Sequence, residues 1–126
     1  MKSIRIFSVF YFLAIILIIF AADFDLLPES VITTFGLPYG DKIAHFILMG
    51  IFCLLANYSL NNRTILILSK NILLGSLIVI VLVTLEEISQ SFFPSRTASV
   101  FDLASSYLGI FIIGNIPQWK QKFNSK

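Results

Sequence analysis

Residues 41–60 read DKIAHFILMGIFCLLANYSL. Asp41, Lys42 and His45, the one histidine of the chain, open the stretch, and fifteen largely apolar residues follow. A helix crosses the hydrocarbon core of a bilayer in roughly 20 mostly apolar residues. The stretch therefore reads as a membrane helix, with its polar start as the mouth of that helix.

The rest of the chain supports a membrane reading. Of 126 residues, 57% are hydrophobic and 13% charged, against about 25% charged in a typical soluble domain. Thirteen phenylalanines would overfill a soluble core of this size, and the surplus apolar surface calls for lipid. Apolar runs cover about Ile6–Ala22, Ile43–Leu60, Ile72–Ser89 and Val100–Ile116. Helices are expected for all four, because open sheets leave backbone groups unsatisfied in lipid. The expected fold is all-α: a single domain over residues 1–126, folded as a four-helix transmembrane bundle of up-down topology. Lys2 and Arg5 before the first run also suit a secretory signal, but the run exceeds the usual signal core and no clean small-x-small cleavage site follows it. A retained helix is the expectation.

Charge placement orients the bundle. Lys2, Arg5, Arg63, Lys70, Lys120, Lys122 and Lys126, seven of the nine basic residues, fall on one side of an up-down arrangement. The positive-inside rule then places both termini in the cytoplasm. Every acid, namely Asp23, Asp25, Glu29, Asp41, Glu86, Glu87 and Asp102, falls on the other side. That asymmetry lies outside the rule and needs its own explanation. The long connection at residues 23–40 contains Pro28, Gly36, Pro38 and Gly40 among apolar residues. A short interfacial helix or lid is expected there. Pro94 closes the third helix, and Trp119 marks the cytoplasmic interface. The lone Cys53 reads as a small buried hydrophobe.

The arrangement gathers polar groups from three segments at the outer leaflet: Asp41, Lys42 and His45; Glu86, Glu87, Gln90 and Arg96; and Asp102. Ionisable groups at membrane depth are costly and usually face a bundle interior or a wet cavity. His45 lies about one turn, roughly 5–6 Å, below Asp41, and Glu86 lies as far below Gln90. A carboxylate and the imidazole are thus expected at similar depth. The two glutamates point about 100° apart, so one is expected to face the cluster and the other the interface. Plainer roles stand beside these. Asp41 fits an N-cap, Ser99 and Asp102 fit a capping box in SVFD, Lys42 fits a headgroup contact, and Gln90 fits interhelical glue.

The segments DKIAHF, EEISQSFFPSR and SVFDLASSYLG together resemble the VanZ family, small multi-helix bacterial membrane proteins named for a teicoplanin-resistance factor. The family pattern is similar to D-K-x-x-H, E-x-x-Q, P-x-R, then Asp with a following Asn and Gly. It falls here on Asp41, Lys42 and His45, on Glu87 and Gln90, on Pro94 and Arg96, and on Asp102 and Gly109. The resemblance spans roughly Asp41 to Gly114. Ser106 stands where the family often has Asn; its hydroxyl can hydrogen-bond but supplies no amide. The resemblance implies a multi-pass protein of the bacterial inner (cytoplasmic) membrane, with a link to teicoplanin resistance that need not transfer.

Three functions remain open. The first is binding or modifying an amphiphilic or lipid-linked cell-envelope ligand. Arg96 and Lys42 would hold an anionic head, His45 and Glu87 would orient it, and Asp41, Glu86, Gln90, Asp102 and Ser106 would complete the site. The second is an enzyme, a hydrolase or transferase on a lipid-linked substrate, with His45 and Glu87 as catalytic residues. No nucleophile-elbow, zincin or P-loop motif accompanies them. The third is a purely structural clamp, with small residues Ala98, Ser105, Ser106, Gly109 and Gly114 allowing close packing. A channel is a weaker option. No cofactor, metal or nucleic acid is expected. Membrane lipids are expected partners, and the sequence admits an oligomer.

Overall fold

A computed structural model describes residues 2–35, 39–94 and 96–124. Gly36, Pro38 and Lys126 lie outside those residues. The elements in chain order are α1 (Lys2–Asp23), α2 (Glu29–Phe35), α3 (Gly40–Ser59), β1 (Thr64–Ile67), β2 (Lys70–Leu73), α4 (Leu74–Gln90), α5 (Val100–Gly109), a π-helical turn (Ile110–Gly114) and α6 (Ile116–Asn124). The chain is mostly helical. Among the described residues, three helical stretches, Lys2–Asp23, Gly40–Ser59 and Val100–Lys120, are long and apolar enough to cross a membrane. This is compatible with a multi-pass membrane protein.

Helix α1 shows what the composition demands. Only Ser8 and Ile15 of its 22 residues are buried, while Phe10 is 67% and Leu17 71% exposed. Apolar area on that scale needs a cover, and the other helices do not supply it. α1 lies antiparallel against α3. Arg5 Nε donates to Ser59 O at 3.2 Å, Ser8 Oγ to Leu55 O at 3.3 Å, and Tyr11 OH to Leu48 O at 3.1 Å.

Helix α3 is the hub. It touches α1, α2, α4, α5, the π turn and α6. Its tightest partner is α5 with the π turn, and small residues make that closeness available. A Cβ on Gly109 would run into the backbone oxygen of Phe46, and one on Gly114 into Cys53 Sγ. A Cβ on Gly50 would stand 2.9 Å from Gly109 O. Phe46, Gly50, Cys53 and Asn57 form one stripe of α3 at helical spacing. In a regular α-helix, positions five apart diverge by about 140°. The wider π turn, with its i→i+5 bonding, brings Gly109 and Gly114 back toward one face. Both therefore meet the stripe.

Below this contact, α3, α4 and the π turn are locked by buried polar groups. Asn57, with no exposed surface, donates through Nδ2 to Gly114 O and Ser76 Oγ, both at 2.9 Å, and accepts from Ser76 N at 3.0 Å. Ser76 Oγ also reaches Asn115 Oδ1 at 3.2 Å. A buried amide is stable only when paired in this way.

Several sequence-based boundaries need correction. The third helix starts at Leu74 rather than Ile72, because Thr64–Ile67 and Lys70–Leu73 pair as an antiparallel hairpin. Its two-residue turn puts Leu68 and Ser69 at φ 46° and 62°. Leucine is an unusual occupant of that region, so the sequence carried no turn signal. The fourth helix does not run unbroken to Ile116; it ends at Gly109 and passes through the π turn into α6. A short helix does form in the long connection, at Glu29–Phe35.

Gly109→Ala is expected to destabilise the protein by about 1–3 kcal/mol through overpacking against rigid backbone. Ala104→Leu, on the exposed side of α5, is expected to leave stability unchanged. Thermal unfolding in a non-ionic detergent measures both.

Candidate functional site

The starts of α3 and α5 lie side by side with the ends of α1 and α4, and the acids and bases of those ends interlock. Tyr39, left-handed at φ 68°, precedes α3 and makes no side-chain cap. Asp41 therefore sits within the first turn rather than capping it. Its Oδ1 accepts from Lys42 N at 2.9 Å and its Oδ2 from Lys42 Nζ at 2.8 Å. Lys42 Nζ also donates to Asp102 Oδ1 at 3.0 Å. The Lys42 ammonium is thus held between two carboxylates.

Asp102 is 7% exposed and spends its carboxylate on Lys42. The expected capping box with Ser99 does not form, since no side chain caps α5 from Ser99. The cap comes from another helix: Ser99 N donates to Glu87 Oε1 at 2.5 Å. A carboxylate at a helix N-terminus satisfies an orphan N–H and meets the positive end of the helix dipole. Glu87, 5% exposed, holds the start of α5 against the end of α4.

Glu86 also points inward, so the expectation that one glutamate faces the interface fails. Gln90 lies between the two, donating through Nε2 to Glu86 Oε1 at 2.8 Å and to Glu87 Oε2 at 3.5 Å. The segment after α4 returns over its end, so both faces are covered. Arg96 lies 3.5 Å from Glu86 Oε1 through Nη2 and 3.5 Å from Asp23 Oδ1 through Nη1. Glu86 Oε2 is shielded from solvent and has no hydrogen-bond partner among the described residues.

His45 Nδ1 lies 3.1 Å from Ser106 Oγ. Ser106 has no exposed surface. Its hydroxyl therefore orients the imidazole and is closed to a substrate. Among the described residues, His45 makes no hydrogen bond to Glu87. Of the two glutamates, Glu86 is the one that shares a cavity with His45.

That cavity has a volume of about 400 Å³. Ile15, Ile18 and Ile19 of α1 and Leu48 and Met49 of α3 supply apolar lining. Asp25, Asp41, His45, Glu86, Gln90, Arg96 and Asp102 supply the polar lining. Lys42, Glu87 and Ser106 stand behind it and position the groups that do line it. No metal-binding group of three His, Cys, Asp or Glu side chains occurs among the described residues.

Sequence reasoning missed the part of the site contributed by α1. Asp23 and Asp25 had appeared only in the count of acids on one side, yet Asp23 faces Arg96 and Asp25 lines the cavity. The isoleucines of α1 carried no signal, since every face of that helix is apolar. No protein-family model matches this chain, and no curated protein and no solved structure matches it.

Glu87→Ala is expected to leave the Ser99 N–H without its acceptor, a loss of about 1–3 kcal/mol. Glu87→Gln, which keeps an acceptor oxygen, is expected to lose less. Unfolding midpoints of the two variants, compared in one detergent, measure the difference.

Proposed function

We propose that this chain is a VanZ-like, multi-pass protein of the bacterial cytoplasmic membrane, and that the cavity holds an amphiphilic or lipid-linked ligand of the cell envelope. In this reading α4 is a fourth crossing. Its 17 residues rise about 26 Å, close to the thickness of a hydrocarbon core. The bundle is up-down, both termini are cytoplasmic, and the cavity opens toward the outer leaflet. The observation that carries the reading is the mixed lining, in which isoleucine, leucine and methionine side chains share one cavity with charged groups and His45. An acyl or prenyl chain suits the apolar residues and a polar head the charged ones. A link to teicoplanin resistance rests on the resemblance in DKIAHF, EEISQSFFPSR and SVFDLASSYLG alone.

Binding is preferred over catalysis because the Ser106 hydroxyl is buried and Glu87 caps α5. An acid–base role for His45 would have to use a carboxylate of the cavity, such as Glu86 or Asp41, instead. The clamp reading accounts for Lys42, Asp102 and Glu87 but leaves the cavity without a role.

The test is the identity of lipid that copurifies. Mass spectrometry of the purified protein is expected to find a bound amphiphile, and Ile19→Trp, which fills the cavity from its apolar side, is expected to remove it while the protein stays folded. Equal lipid in both proteins sinks the cavity reading. Orientation has a separate check. A cysteine at Ala98, in a Cys53→Ser background, is expected to react with a membrane-impermeant maleimide in intact cells. Reaction only after permeabilisation reverses the orientation.

A further inference from the structure

We infer that the hairpin Thr64–Leu73 is a lipid-binding anchor. Its tip leucines seat in the leaflet at that end of the bundle, and the bases around it hold anionic phospholipid headgroups. This rests on the chain spanning a membrane and is independent of the cavity.

The hairpin lacks a cover of its own. It is a sheet of two short strands, and such a ribbon is marginal in water unless something packs on it. β2 is covered in part: Leu73 has no exposed surface, and Gln118 Nε2 of α6 donates to Asn71 O at 2.6 Å. The tip is bare. Leu66 is 72% and Leu68 93% exposed. Leu68 also holds a left-handed backbone, at φ 46°, where a two-residue hairpin turn in water favours Asn or Gly. A leucine that strains its backbone and gains no packing within the chain points to a cover outside it.

Charge selects that cover. Arg63 immediately before β1 and Lys70 at the start of β2 are exposed. Arg5 stands at the same end, because its Nε donates to Ser59 O at the end of α3. Lys120 does so as well, because α6 is tied to Asn71 by Gln118. Arg5 and Lys120 are exposed too. Among the described residues, none of these bases pairs with a carboxylate. Every acid of the chain belongs to the other end: to the end of α1, to α2, to the starts of α3 and α5, and to the end of α4. Bare leucines among unmatched bases suit an anionic bilayer surface, where the leucines enter the acyl boundary and the bases stay at the phosphates. A four-residue strand spans about 13 Å, so the tip stays close to the surface that α3 enters.

The test uses the full chain with Trp119→Phe, which removes its one tryptophan, and Leu68→Trp as reporter. It is reconstituted into vesicles of phosphatidylcholine, alone or in equal mixture with phosphatidylglycerol, with brominated acyl chains as quencher. Emission from position 68 is expected to be lost to the brominated chains, and more so in the mixture. Arg63→Gln with Lys70→Gln is expected to erase the difference between the two compositions. Leu66→Trp is the second reporter if Leu68→Trp fails to fold. Phe10→Trp, at an exposed position of α1, reports a residue within the bilayer. Quenching at position 10 without quenching at the hairpin overturns the inference alone and assigns the leucines to a protein partner. Hairpin quenching that ignores both phosphatidylglycerol and the two charge variants overturns the recognition of anionic lipid, and the inference with it. No quenching at any position overturns the membrane-spanning reading and the inference together.

Discussion

The close parallel contact between α3 and α5 is the constraint on which the site depends. It is a ladder whose rungs keep the same order along both helices. Lys42 meets Asp102, His45 meets Ser106, Phe46 meets Gly109, Cys53 meets Gly114, and Asn57 meets Gly114. Between helices in lipid, burial of apolar surface supplies little net attraction, so backbone proximity and hydrogen bonds must supply it. The glycines provide the proximity. The π turn keeps Gly114 in line with Gly109, so the ladder continues past the point where a regular helix would rotate away. With the glycine rungs fixed, the depths of His45 and Asp102 follow.

The two polar layers of the molecule differ in how completely they are used. Near the hairpin, Asn57, Ser76 and Asn115 satisfy one another and the Gly114 carbonyl within a layer that ties α4 to both α3 and the π turn. That layer is a lock. At the other end, Lys42, Arg96 and Gln90 are distributed among more carboxylates than they can pair. Here a cavity remains, together with a carboxylate oxygen lacking a partner among the described residues. Much of the acid thus has a location: four of the seven carboxylates, those of Asp25, Asp41, Glu86 and Asp102, line one space. Charges buried in this way are expensive unless paired.

Glu87 illustrates how a residue changes meaning once its neighbours are known. In sequence, a glutamate three residues before a glutamine at the end of an apolar run looks like a site residue. In the fold it reaches 12 residues along the chain to cap the first turn of α5. Glu86, one position earlier, takes the place beside His45. The 100° between them separates the two functions, and the turn that returns from α4 to α5 turns both inward.

The sequence by itself determined the membrane-compatible helical character, because composition and run length are local properties that lipid reads directly. It also pointed to the residues that gather at one end, because Asp41, Lys42, His45, Glu86, Glu87, Gln90 and Asp102 all sit at the ends of apolar runs. What only the tertiary structure decided was pairing. Whether Asp41 caps α3 or binds Lys42, whether Asp102 caps α5 or neutralises Lys42, and which glutamate joins His45 all depend on distances between helices, and these are set by the glycine contacts and the π turn. The hairpin at Thr64–Leu73 was hidden for a related reason. Its turn uses Leu68 and Ser69 in left-handed conformations that the residues themselves do not favour, so the pairing of its strands, rather than local preference, holds it.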